Sequence, residues 1–173
     1  LAAGGDKKKL VKEQDKIDAF LNSLGDIISC EFIEENLVPK LEANPEDVNT
    51  AKKIFSYSLK AKCSDQPYFT TAGMVFFKSE PTYSLAKALA DKFYRSEDYT
   101  KANTFYAEAA ELTEDVEQKF DAKMGMASVA SKLGDKRKAR SLAYEALSIK
   151  PGAAEAYNLI GNLYFLSADD CRG

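Results

Sequence analysis

The chain is expected to fold as an all-α, right-handed solenoid of antiparallel helix pairs, and three observations carry that expectation. Tyr157, Ile160, Gly161 and Tyr164 are echoed 34 residues earlier by Lys123, Met126, Ala127 and Ala130, and a further 37 residues back by Ala86, Leu89, Ala90 and Phe93. Both earlier copies continue into a matching second half: Asp98-Tyr99 with Ala102, Tyr106 and Ala109, then Gly134-Asp135 with Ala139, Ala143, Ala146 and Pro151. Apolar residues recur along most of the chain at three- and four-residue intervals, the period of a helix that buries one face.

Residues 6–24 set Leu10, Ile17, Phe20, Leu21 and Leu24 on one stripe, and Gly25-Asp26 ends that helix with Asp26 as the next N-cap. A second helix carries Ile28, Phe32, Ile33 and Leu37, is kinked or ended by Pro39, and is over by Asn44-Pro45. Residues 48–62 form a third, with Val48, Ala51, Ile54, Phe55, Ser58, Leu59 and Lys62. A turn at Ser64-Asp65-Gln66 leads to a helix starting near Pro67 with Tyr68, Ala72, Val75 and Phe76 on one side. Gly73 to Phe77 is apolar enough for a strand but has no second strand to pair with, so helix is expected there too.

The 6–173 region therefore reads as one array: an atypical helix pair at 6–47, a degenerate repeat at 48–81, clear repeats at 83–116 and 120–153, and the first helix of an incomplete repeat at 154–173. Ala90, Ala102, Ala109, Ala127, Ala139, Ala146 and Gly161 are expected where helices cross, because axes approach closely only over small side chains. The extra residues of the longer spacing fall in Thr113–Lys119, expected as a polar connector. A last helix without its mate leaves Tyr157, Ile160, Tyr164 and Phe165 uncovered, which predicts further chain beyond Gly173 or a partner over that face.

Composition narrows the chemistry. The 173 residues are 45% hydrophobic and 29% charged, enough for a real core, and the net charge of −3 argues against nucleic acid or an anionic membrane as partner. The basic run Lys7-Lys8-Lys9 with Lys12 is interleaved with Asp6, Glu13 and Asp15 and reads as a solvated helix face. No apolar run is long enough for membrane insertion. There is no histidine, which removes the usual neutral-pH base and the commonest metal ligand. Cys30, Cys63 and Cys171 lie 33 and 108 residues apart, unlike any CxxC pair. An odd number cannot be fully paired within one chain, so buried thiols are expected, with a disulfide left open if a segment beyond Cys171 supplies another cysteine.

No catalytic, metal or cofactor site is expected. Ser84-Leu85-Ala86-Lys87 matches the serine-acylating S-x-x-K pattern, but its companion motifs are lacking and the run opens a repeat helix. Glu34-Glu35 and Asp169-Asp170 are sequence neighbours that diverge on a helix, and no phosphate-binding or calcium-loop motif is present.

The large–small–large spacing, followed by Ala-x-x-x-aromatic and a proline, resembles the tetratricopeptide repeat (TPR). That resemblance implies a non-catalytic scaffold binding a protein or peptide in a concave groove lined by first helices. The groove residues it implies are Lys53, Tyr57 and Lys60, then Ser84, Lys87, Asp91, Tyr94 and Arg95, then Asp121, Met124, Ser128 and Lys132, then Asn158, Asn162 and Phe165. The alternative is a structural module whose exposed terminal repeat face, the C-terminal helix, packs on another copy or on the rest of a longer chain. The carboxylate clamp of chaperone-binding TPR domains is not matched: its places hold Lys53, Tyr57, Ala88, Asp121 and Gly125, and Asp121 would repel a carboxylate. More narrowly, 51–102 and the closing AEAYNLIGNLYFLSADDC resemble exported TPR proteins of Bacteroidetes-type bacteria, which implies an extracytoplasmic location and assigns no catalytic residue.

Overall fold

The computed structural model describes residues 28–169, which form two compact units: one ends at Ala72 and the other begins at Gly73. The described residues are helical, with no strand among them. The expected helix at 6–24, the Asp26 cap, the Lys7–Lys9 run and Cys171 lie outside the described residues.

In the first unit, α1 (Cys30–Asn36) starts after Ser29, whose hydroxyl accepts the Phe32 N–H at 3.1 Å and so caps the helix. Pro39 has no N–H to continue the ladder, so the chain breaks at Leu37 and restarts as α2 (Val38–Ala43). Asp47 caps α3 (Val48–Lys60), accepting the Asn49 and Thr50 N–H groups at 3.0 and 3.1 Å and the Thr50 hydroxyl at 2.6 Å. Helix α4 (Pro67–Ser79) follows, opening on Pro67 as expected, and it takes in Gly73–Phe77. Ile33, Leu37, Leu41, Ile54, Phe55 and Phe69 are buried, and the rings of Phe55 and Phe69 stack at 4.6 Å. The third helix, expected over 48–62, ends at Lys60, so Lys62 lies past its end, and Leu59 is half exposed.

The cysteines depart from expectation. Cys30 and Cys63 are joined in a disulfide, with Cα atoms 5.7 Å apart. The bond ties the first residue of α1 to the turn after α3, and Tyr68 reinforces the same corner by donating its hydroxyl to the Cys30 carbonyl at 3.4 Å. An odd count requires one leftover thiol, but it does not forbid a pair among the other two.

The second unit runs from the end of α4 through α5 (Tyr83–Arg95), α6 (Tyr99–Glu111), α7 (Val116–Lys132), α8 (Lys136–Ile149) and α9 (Ala154–Asp169). From α5 on, each helix packs on the next, and α5 also touches α7, so first helices of successive pairs lie side by side. Ala86, Ala90, Ala102, Ala109, Ala127, Ala139 and Ala146 are buried, as close helix crossings require. One core joins Phe120, Ala127 and Ala130 of α7 to Leu142 and Ala146 of α8 and to Ala156, Ile160 and Leu163 of α9. Ile160, expected to be uncovered, is therefore buried. Gly161 faces open space rather than a crossing, since no later helix among the described residues meets it.

The residues read as a connector also differ. Asp115 accepts the Gln118 N–H at 2.9 Å and starts α7 at Val116, leaving only 112–115 as loop. The extra residues become an added helical turn, so α7 has 17 residues where α3 and α5 have 13.

Three first helices end alike. Lys62, Glu97 and Gly134 take a left-handed conformation with φ of 58°, 62° and 78°. The N–H of the following residue returns to a carbonyl five residues back: Cys63 to Ser58 at 2.7 Å, Asp98 to Phe93 at 3.0 Å, Asp135 to Ala130 at 3.0 Å. This Schellman stop is costly for a side chain with a Cβ and free for glycine. Lys62→Gly and Glu97→Gly should therefore each raise the unfolding free energy, by about 0.5–1 kcal/mol after the entropy of an added glycine is deducted. Urea titration of the two variants checks this, and a loss of stability in both would refute it.

Candidate functional site

The best-built polar cluster of the second unit lies on α5 and α6. Lys87 and Asp91 are one helical turn apart, and the ammonium donates to both carboxylate oxygens at 2.8 and 2.7 Å. Tyr106 of α6 donates its hydroxyl to the same carboxylate at 2.7 Å, and its ring centre is 5.8 Å from the Lys87 ammonium. The ring is almost fully buried against Gly125 of α7, where a Cβ would overlap it. Burial first, then the bond to Asp91 and its charge, hold the Tyr106 phenol well above its ordinary pKa. Tyr83 is pushed up to about 12 by burial and by the charges of Asp121, Asp91 and Asp115. Both phenols are therefore neutral at physiological pH and serve as hydrogen-bonding and packing groups.

Around this network the expected groove residues sort themselves. Tyr94 packs edge-on against Tyr99 at 5.7 Å, and Arg95 is exposed beside it. Ser84 and Asp121 are exposed on α5 and α7. Met124 is half-buried and packs against the α7–α8–α9 core, while the Ser128 hydroxyl donates back to the Met124 carbonyl at 2.9 Å. These two are thus largely occupied by their own helix and core. Asn158, Asn162 and Phe165 are exposed on α9. Lys53 and Tyr57, exposed and half-buried, belong to α3 of the first unit. Asp91 was expected as a contact residue, and its carboxylate is instead engaged by Lys87 and Tyr106. Tyr106 was read only as a repeat position; its spacing marks it as buried, and nothing in the sequence marks its hydroxyl as the third member of the network.

A second feature escaped the sequence reading. Lys136-Arg137-Lys138 and Arg140 crowd the first turn of α8, and Lys132 stands at the end of α7. Arg140 lies over the Tyr164 ring at 4.8 Å and donates to the Ser167 hydroxyl at 3.1 Å, while Lys136 donates to the Leu166 carbonyl at 3.0 Å. Tyr144 is held above its ordinary pKa chiefly by a hydrogen bond shared with Tyr164.

Among the described residues no group of three or more potential metal ligands comes together, and every buried side-chain polar atom has a partner. No described helix is long and apolar enough to cross a membrane.

No family model matches the chain, and no curated protein matches it. Two crystal structures of MamA are similar to it in fold. One aligns with a TM-score of 0.60 at 21% identity, covering 76% of this chain and 75% of that one. The other aligns with a TM-score of 0.58 at 22% identity, covering 72% and 66%. At this identity the likeness speaks to fold, and the fold is a TPR-like helical repeat.

Proposed function

We propose that the chain is a non-catalytic protein-interaction scaffold that holds an extended segment of a partner protein along its first-helix faces. The observation that carries this reading is the pairing of a fixed floor with an open rim. The Lys87–Asp91–Tyr106 network locks α5 to α6, and beside it Tyr94 and Arg95 present an aromatic ring and a guanidinium, the residue types that concentrate binding energy at protein contacts. The repeat partition at 48–81, 83–116 and 120–153 belongs to the same reading, supported by the recurring left-handed stop at Lys62, Glu97 and Gly134. An oxidising, extracytoplasmic compartment, as the resemblance to exported bacterial repeat proteins implies, is favoured by the Cys30–Cys63 bond.

The test is a crosslinking pulldown from the source cell with Tyr94→Ala/Arg95→Ala. Recovery of the specific partner should fall about tenfold or more while circular dichroism stays unchanged. Undiminished recovery would sink the groove reading.

A second reading, self-association through α9, is favoured by one observation: Tyr157, Tyr164, Phe165 and Leu166 are each at least half exposed, Phe165 at 68%. Light scattering over a wide concentration range separates the two, since a strict monomer removes the assembly reading.

A further inference from the structure

We propose that the first turn of α8, with the α9 residues it touches, is a docking shelf for a short acidic segment of a protein. This shelf is distinct from the first-helix face. It gathers Lys136, Arg137, Lys138 and Arg140 within five residues, although the whole chain carries a net charge of −3. Asp135, which precedes them in sequence, turns its carboxylate to the Lys138 N–H at 2.9 Å as the helix cap. Among the described residues no acidic side chain pairs with Arg137, Lys138 or Arg140. Arg137 and Lys138 point their charge into solvent, and Arg140 is held in place by Tyr164 and Ser167.

A cation stacked on an aromatic ring and fixed by a hydroxyl has lost much of its rotamer freedom before any ligand arrives, which lowers the entropic cost of binding. The exposed Tyr144–Tyr164 pair beside it offers an apolar floor. Cations above an aromatic floor suit carboxylates alternating with a hydrophobic residue. Extent decides against polyanions: five helical residues rise about 7 Å, enough for two or three carboxylates, whereas a nucleic acid or an anionic membrane also meets the acidic remainder of the chain.

The probe is the fluorescein-labelled peptide Glu-Glu-Leu-Glu-Glu-Phe, followed by anisotropy in the intact protein. Wild type should bind it with an affinity that weakens as salt is raised. Arg137→Glu/Lys138→Glu should bind about tenfold more weakly or worse, with unchanged circular dichroism, since acids in a first helical turn favour the helix. Tyr94→Ala/Arg95→Ala should bind as wild type does, which keeps this result separate from the groove reading. The proposal is overturned by no binding to wild type, by equal binding of the double charge reversal, or by equal binding of the peptide with Gln in place of each Glu. Tighter binding of a single-stranded oligonucleotide or of phosphatidylserine vesicles than of the peptide also overturns it.

Discussion

Cys63→Ser should lower the unfolding free energy by about 3–4 kcal/mol, and a reducing agent should do the same to the wild type. The Cys30–Cys63 bond closes a 33-residue separation, and the loop-closure entropy removed from the unfolded chain corresponds to a value of that size. The corner it ties is otherwise thinly held. Helices α1 and α2 have seven and six residues, too short to persist without tertiary support, and the Tyr68 hydroxyl bond to Cys30 is long at 3.4 Å. Cys63 is also buried, so serine adds a desolvated hydroxyl to the loss. Urea unfolding followed by circular dichroism, with and without reductant, measures the effect. Cys30→Ser should match the reduced wild type, since Cys30 is only partly buried, and Cys63→Ser and the double variant should lie slightly below both. A thiol assay on denatured wild type should find one reactive cysteine of three before reduction and three after. Three before reduction, with no stability difference, would dismiss the disulfide.

Gly125→Ala should cost about 1–3 kcal/mol, against the usual helical preference. In an open helix the same change favours folding by roughly 1 kcal/mol. Here the new Cβ would fall within 2.7 Å of three Tyr106 ring atoms. The ring cannot swing away cheaply, since it is buried and its hydroxyl is bound to Asp91. Moving it gives up a charge-assisted hydrogen bond of about 1.5 kcal/mol or more in addition to the packing. A double-mutant cycle isolates the cause: in a Tyr106→Ala background, Gly125→Ala should be neutral or stabilising. If the penalty persists there, the clash with Tyr106 is not its source. The same Tyr106→Ala background unties the Lys87–Asp91 pair from α6 while leaving the pair itself in place.

Much of the second unit was legible in the sequence. Small residues at fixed spacing are forced by close helix crossings, so Ala86, Ala90, Ala127 and Ala146 announce their burial without any structure. Proline and the residue before it stopped helices at Leu37 and Asn44 for equally local reasons. What was not legible depended on distance in space. Cys30 and Cys63 meet only because α1 folds back on the turn after α3. Polar Thr113–Lys119 read as loop because an exposed first turn and a loop share a composition, and the Asp115 cap decided between them. At the site, helical position put Asp91 and Met124 on the candidate face. It could not show that one is taken up by Tyr106 and the other by the core around Phe120. The Lys136–Arg140 cluster is as plain in the sequence as Lys7-Lys8-Lys9, but residues 120–153 draw a reading by repeat spacing, and only the fold brings Tyr164 and Ser167 beside it.

The added turn of α7 breaks the equality of the first helices. Counted back from the left-handed stops, Phe120 holds the place of Tyr83 and Val48, so Val116–Lys119 project past the line of their counterparts. Four residues advance a helix by about 6 Å, which makes one margin of the second unit a ledge. Exposed Val116 stands at its tip, and Lys150 braces it from the far end of α8 by pairing with Glu117 and lying over the Phe120 ring at 5.2 Å. The two margins are thus unlike, one stepped and one level. A chain laid across α5 and α7 would find its two possible directions unequal, so the length of a single helix gives this surface a sense of direction.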